Sequence, residues 1–351
     1  MQRCWSRPQR SASRKLIAWV CVAALAACAA WTDAAAECLD ANRVSPPAPV
    51  VLGASTDASG PTTRDAAGRM VAPVLVAGRG PFRFIVDTGA NRTALSRELA
   101  RQLGLTPIGT GEVHSVHGVA VAPMVAAQML NYGSLTLASR DMPLIEGAVL
   151  AGEAGLLGVD SMRDQRLRMD FERKCIEIES SEAPFRRAGW TAVHGEVRFG
   201  HLVVIRGRIR AQAVNILIDT GSDSTLANVA LRDQLANQIR TTDLRGDTFA
   251  RAYTMGEPVV LHSAILIPSM HIGGVEVDHV TAYVGDFHIF QLWDLVHEPT
   301  LLIGMDVLSQ TRSIAIDFSR GSVYFRLRPR PTTGTRLPGR APGNASTTIT
   351  R

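Results

Sequence analysis

The chain has 351 residues, 46% of them apolar and 20% charged, with a formal net charge of +5. That length and apolar share allow two packed units of roughly 100–150 residues and exclude a globally disordered chain. The charge sits at the ends: residues 1–36 hold five cations against one acid, residues 328–351 hold five arginines and no acid, and 37–327 carry −4. A nucleic-acid footprint needs a basic face on the folded body, so nucleic-acid binding is set aside.

Residues 1–36 read as an export signal. A basic start leads into an apolar run over residues 16–30, too short and too rich in alanine to span a membrane comfortably. Two cleavage readings stand side by side, and an uncleaved N-terminal anchor helix is the alternative to both. Ala34-Ala35-Ala36 has the small residues of a signal-peptidase site, whereas Leu25-Ala26-Ala27-Cys28 has the form of a lipobox, which would remove residues 1–27 and lipidate Cys28. In both, the body is expected to be exported to the periplasm or envelope of a bacterium, free or held by a lipid anchor. Cys38 and Cys175 belong to the mature body on either reading. In an oxidising compartment they can form one disulfide, pinning the segment after the signal to the first folded unit.

Residues 37–66 are rich in Pro, Ser, Thr and Gly and are expected to be a linker, with a short strand at Val50-Val51-Leu52. A β hairpin follows over 71–76 and 82–86, turning at Gly78-Arg79-Gly80. A short helix should be capped by Ser96, bury Leu99 and Leu103, and stop at Gly104. The unit 67–182 closes with a hairpin over 167–171 and 175–179, and Ser-Ser-Glu-Ala-Pro breaks the pattern within 180–189. The unit 190–328 repeats the scheme. It has a hairpin over 202–208 and 213–218, a helix capped by Asn228 and carrying Leu231 and Leu235, and a last hairpin over 313–318 and 322–327. Residues 329–351, rich in Pro, Gly, Thr and Arg, are expected to be a disordered tail.

The two units are copies. Phe84-Ile85-Val86-Asp87-Thr88-Gly89-Ala90 recurs as Ile216-Leu217-Ile218-Asp219-Thr220-Gly221-Ser222. Leu156-Leu157-Gly158-Val159-Asp160 recurs as Leu302-Ile303-Gly304-Met305-Asp306, and Met169-Asp170-Phe171 as Ile316-Asp317-Phe318. An apolar triplet before Asp-Thr-Gly should arise by chance on the order of 0.005 times in such a chain. A single Asp-Thr-Gly is a good turn at the end of a buried strand. Two copies with the same sequel are a stronger signal than a turn.

Paired carboxylates suit hydrolysis of a peptide by water. One takes a proton from the water while the other polarises the carbonyl, and two so close share one proton because like charges cannot both ionise. Asp87 and Asp219 are the candidates. These residues make the chain resemble the retropepsin-like aspartic proteases, in the bacterial form that carries both halves in one chain. The likeness covers about residues 66–327. It implies a mostly β fold of two homologous β-barrel lobes with the active site at their seam, a monomer with internal pseudo-symmetry. It also implies aspartic endopeptidase activity on a peptide or protein substrate, with no cofactor. By resemblance, Thr88 and Thr220 tie the active-site loops together. Gly89 and Gly221 let the backbone approach the carboxylates, and the Leu-Leu-Gly and Leu-Ile-Gly segments hold the loops from behind. The resemblance also implies that a hydroxyl at Ser222 donates to the adjacent carboxylate. With Ala90 at the matching place one donor is missing, which points to activity at mildly acidic to near-neutral pH.

A flap over the substrate is expected at His114, Ser115, Val116, His117 and Gly118 in the first copy and at Tyr253, Thr254, Met255 and Gly256 in the second. An ordinary hairpin turn is the alternative. Asp87 and Gly158 are 71 positions apart, Asp219 and Gly304 are 85. Much of the excess falls at 287–297, where core packing is expected before a wall of the substrate cleft. The nine histidines are scattered and His114-x-x-His117 has no third ligand nearby, so no metal site is expected. The competing function is a non-catalytic peptide-binding envelope protein that retains the protease fold. Loss of either aspartate would favour it, and both are present. A structural lipoprotein is allowed by Cys28 but not argued for by any other residue.

Overall fold

A computed structural model describes residues 58–329, apart from 66, 117, 200–201, 239, 244–249, 253–258 and 262, together with 348–350. All of these belong to the larger of two units of the chain, Glu37–Arg351. The expected signal, Cys28, Cys38, the strand at 50–52, His117, Tyr253, Thr254, Met255 and Gly256 lie outside the described residues.

The second lobe closes into a barrel of six strands. Leu202–Ile209, Gln212–Ile218, Thr300–Ile303, Leu226–Ala227, Val275–Val284 and Ser263–Ile272 pair in that order, and the last returns to the first at His271 and Arg208. Closure depends on length. The two antiparallel strands that complete the ring are ten residues each, roughly 33 Å of extended chain. The first lobe follows the same path through Met70–Val76, Arg79–Val86, Gly155–Leu157, Ala94–Ser96 and Met142–Ile145, then into the hairpin of Val119–Val125 and Pro107–His114. There the small hairpin Leu130–Tyr132 and Leu135–Leu137 has strands of only three residues. This sheet stays open, so the expected pair of barrels is one barrel and one open sheet.

Both helices behind the Asp-Thr-Gly loops start where a side chain can cap them. Ser96 accepts from the Leu99 N–H at 3.0 Å, and the helix Arg97–Leu103 ends at Gly104 in the left-handed conformation. Asn228 accepts from the Leu231 N–H at 2.9 Å, and the helix Val229–Leu235 buries Leu231 and Leu235.

The final hairpins of the two copies join the lobes. Gln165–Asp170 lies antiparallel to Ser313–Asp317 with Leu167 opposite Ile316, so one sheet continues from the first copy into the second. One apolar cluster runs with it, from Phe84, Leu95 and Leu157 through Met169 and Ile316 to Ile216 and Ile303. The repeated aspartates here are structural. Asp170 Oδ1 accepts the N–H groups of Glu172 and Arg173, and Asp317 Oδ1 accepts that of Arg320, closing each turn.

Two boundaries differ from the sequence expectation. The end of the expected linker is folded: Ala58–Pro61 pairs with Cys175–Ser180, and Thr63–Arg64 with Met70–Val76. An uncovered strand edge offers backbone groups that a short polar segment can satisfy without an apolar pattern of its own. The same holds at the other terminus, where Thr348–Thr350 pairs with Val275–Val284 and Ile349 packs on the core, so this part of the tail is ordered. Cys175 is buried and disulfide-bonded, while Cys38 lies outside the described residues. No helix among the described residues is long and apolar enough to cross a membrane.

Candidate active site

Each Asp-Thr-Gly sits at the end of a strand that is hydrogen-bonded in parallel to the Leu-Leu/Ile-Gly strand of its own copy. Phe84, Ile85 and Val86 run beside Gly155, Leu156 and Leu157, and Ile216, Leu217 and Ile218 beside Leu301, Leu302 and Ile303. The pairing then continues past the strand ends. The Asp87 N–H donates to Leu157 C=O and the Asp219 N–H to Ile303 C=O, both at 3.0 Å. Val159 N–H donates to Ala90 C=O and Met305 N–H to Ser222 C=O, both at 2.9 Å. Gly158 and Gly304 are required by this approach. A Cβ on Gly158 would meet the Arg92 backbone at 2.5 Å, and one on Gly304 the Ser224 carbonyl oxygen at 2.5 Å.

The second anchor of each loop joins the aspartate that ends the repeated Leu-Leu/Ile-Gly segment to a threonine that the repeats quoted from the sequence do not include. Thr93 N–H and Oγ1 both donate to Asp160 Oδ1 at 2.9 Å. In the other copy Thr225 N–H donates to Asp306 Oδ2 at 3.1 Å and Thr225 Oγ1 to Asp306 Oδ1 at 2.8 Å. The sequence held the signal: a threonine follows each aspartate by six positions, and an aspartate follows each Leu-Leu/Ile-Gly by two. Burial pushes Asp306 up to about 6 and raises Asp160, against the bonds from their threonines.

The loops meet across the seam through the two threonines, both almost fully buried. Thr88 Oγ1 donates to Ile218 C=O at 2.7 Å and accepts the Thr220 N–H at 3.1 Å. Thr220 Oγ1 donates to Val86 C=O at 2.6 Å and accepts the Thr88 N–H at 3.2 Å. A hydroxyl that donates and accepts at once is needed at both places, which threonine or serine supplies.

This lock sets Asp87 and Asp219 against each other. A Cβ on Gly89 would fall 2.8 Å from the carboxyl carbon of Asp219, and one on Gly221 would strike the Asp87 carboxyl. Each glycine therefore makes room for the opposite aspartate. Asp87 Oδ1 accepts the N–H groups of Gly89 at 2.9 Å and Ala90 at 3.0 Å. Asp219 Oδ1 accepts that of Gly221 at 2.8 Å. Burial pushes both carboxyl groups up, and the Asp87 charge drives Asp219 further, to about 8. Against that rise, Asp87 has its two amides and the charge of Arg69. Both carboxyl groups are thus raised, and the pair titrates as one unit with one proton to share.

Ser222 does not play the part expected of it. Its hydroxyl donates to Ser224 C=O at 2.8 Å, closing its own turn, so the alanine at position 90 removes no donor that its counterpart supplies. The pH argument built on Ala90 therefore loses its basis. The asymmetry comes instead from Arg69, which the sequence reading missed because nothing in the second copy repeats it. Asp65 holds this side chain: Oδ2 accepts from Arg69 Nε at 2.7 Å, while Oδ1 accepts the N–H groups of Ala67 and Arg69. Nη1 then donates to Val149 C=O at 3.0 Å and reaches the Gly221 carbonyl of the opposite loop at 3.4 Å. A fixed cation favours the ionised dyad. With Arg69→Met the first ionisation should move up, and the acid limb of the pH–rate profile should shift toward alkali by up to ~1 unit. A limb that stays in place or moves toward acid would show that Arg69 does not act on the pair.

Pro107–His114 and Val119–Val125 form the expected first-copy hairpin, and Ser115 N–H and Oγ close its tip onto Gly118 C=O. Residues 287–297 pack as expected: Phe287, Phe290, Trp293 and Leu295 are buried in an apolar cluster with Leu217 and Leu302.

Two carboxyl groups set against each other, Asp219 buried and Asp87 half-buried, on loops tied through a pair of threonines, define a single-chain pseudo-dimer with its paired acids at the seam. The family model described as aspartyl protease matches residues 72–161 and 203–307, once in each lobe and over more than half of the chain. The chain belongs to the retropepsin-like aspartyl proteases, a family of peptide-bond hydrolases. No curated protein matches it.

Proposed function

We propose that this protein is an aspartic endopeptidase whose dyad is Asp87 and Asp219. What carries the reading is the pair itself: two carboxyl groups set against each other across the seam, each held by a backbone amide of its own loop and both raised by burial. Asp87, ionised, takes a proton from a water, whose oxygen attacks the peptide carbonyl carbon. Asp219 gives its proton to the carbonyl oxygen. The tetrahedral intermediate collapses when the amide nitrogen receives the proton held by Asp87 and the C–N bond breaks, while Asp219 recovers its proton from the oxygen. Burial serves this chemistry because it keeps a carboxyl group protonated at a pH where its partner is ionised.

Cleavage of a broad peptide library by the full exported protein and by Asp87→Asn tests the assignment. Cleavage is expected from wild type and at most a trace from the variant. Equal cleavage by both would remove the dyad reading, and binding of peptides without cleavage by either would leave a peptide-binding protein. We further propose that the protein works in the bacterial envelope, on the strength of residues 1–36. The mature N-terminus, mapped by mass spectrometry, should be lipidated Cys28 or Glu37; retention of Met1 would overturn both cleavage readings, and recovery of the protein in the cytoplasmic fraction would overturn export.

A further inference from the structure

The first-lobe hairpin does not end in solvent. Its tip crosses to the second lobe and lands on the helix His288–Leu292, which lies in the stretch that makes the second copy longer than the first. Three contacts of different kinds meet there. His114 Nδ1 and His288 Nε2 are 2.9 Å apart, and the two rings meet edge to edge, with 5.3 Å between centroids and 11° between planes. The Ile289 N–H donates to Val116 C=O at 3.3 Å. The Val116 side chain packs on the cluster of Phe287, Phe290 and Trp293.

The backbone bond answers a need of the helix. The first N–H groups of a helix have no partner within it, and Phe287 at the cap position offers no side-chain acceptor. A carbonyl from the other lobe fills that role. The base beneath is firm, because Asn228 Nδ2 donates to Leu295 C=O at 2.8 Å and to Glu298 C=O at 2.7 Å. Neutral imidazole has one donor and one acceptor, so one ring donates to the other at this distance. The nearest charge to the pair on the hairpin is Glu112, with Oε2 3.8 Å from His114 Nε2. Asp286, ahead of the helix, is engaged by Gln291.

We propose that residues 287–297 are the catch for the first-lobe hairpin acting as a lid, and that His114 and His288 are positioning residues that fasten this hairpin across the seam. This rests on the reading of the seam as the active site. A lid fastened at its tip favours the closed arrangement before substrate arrives, so its effect is on substrate capture more than on the chemical step. Packing of an inserted helix needs its buried face alone. It does not require His288, which is half-buried and faces the other lobe.

The test is amide hydrogen exchange of the full protein together with kinetics on one peptide substrate. His288→Ala and His114→Ala should each speed exchange in residues 107–125 and raise KM about 5–30-fold with a smaller change in kcat. The double variant should be little worse than either single, and His288→Gln, which keeps a donor and an acceptor, should restore part of the loss. Unchanged exchange in the hairpin, exchange that rises throughout both lobes, or single effects that simply add would overturn the latch. Exchange measured in the Asp87→Asn background separates the two ideas. Loss of the latch there is read without any turnover, while cleavage surviving in that variant counts against the dyad alone.

Discussion

Asparagine in place of Asp219 should stop peptide cleavage, by at least about 10³-fold, and at the same time make the folded protein more stable at neutral pH. Burial first, and then the charge of Asp87, push the Asp219 carboxyl up to about 8. A carboxyl whose folded value lies above its unfolded value binds its proton more tightly when folded. The stability this lends is full below about pH 4 and is lost as pH rises toward about 8. Asparagine takes no part in that equilibrium, and it keeps an oxygen for the Gly221 N–H as well as a donor toward Asp87. The variant should therefore exceed wild type by roughly 1–4 kcal/mol near pH 7, with the gap closing below about pH 4. Thermal unfolding across pH measures it. A variant that is less stable at pH 7, or a gap of the same size at both ends of the range, would show that the dyad does not carry this cost.

Removing Arg166 should have the largest structural effect. Its guanidinium is buried at the sheet that joins the lobes and donates to Asp317 of the second copy at 2.9 Å and to Glu179 of the first at 2.9 Å. Asp317 is fully buried and also accepts from Ser181 and the Arg320 N–H. Arg166→Leu leaves that carboxylate charged and without its cation, which costs about 3–5 kcal/mol and should lower Tm by on the order of 10 °C. Adding Asp317→Asn should return part of the loss, since the stranded charge is then gone. If the double variant is as unstable as the sum of the two singles, the ion pair is not what the arginine provides.

The architecture was open to reading in the chain because the chain writes it twice. Apolar triplets before Asp-Thr-Gly, capping residues such as Ser96 and Asn228, and glycine after Leu-Leu or Leu-Ile are local signals, and repetition lifts each of them above chance. The hairpins, the capped helices and the placing of the two aspartates at strand ends all follow from such signals. Thr93 with Asp160 and Thr225 with Asp306 were equally visible at fixed spacing, and only their meaning as loop anchors needed the fold.

What the sequence could not determine depends on groups distant along the chain. The Ser222 hydroxyl donates to Ser224 C=O and closes its own turn, a choice of partner that the folded turn decides. Ala58–Pro61 and Thr348–Thr350 carry little pattern of their own, and open strand edges elsewhere in the fold give them structure. Arg69 acts on a loop of the opposite lobe, and His114 meets His288 from 174 positions away, so neither has a local signature. Local chemistry determined which residues turn, cap and carry acid; the tertiary fold decided which of them face one another, because electrostatics and hydrogen bonding depend on distance in space and not along the chain.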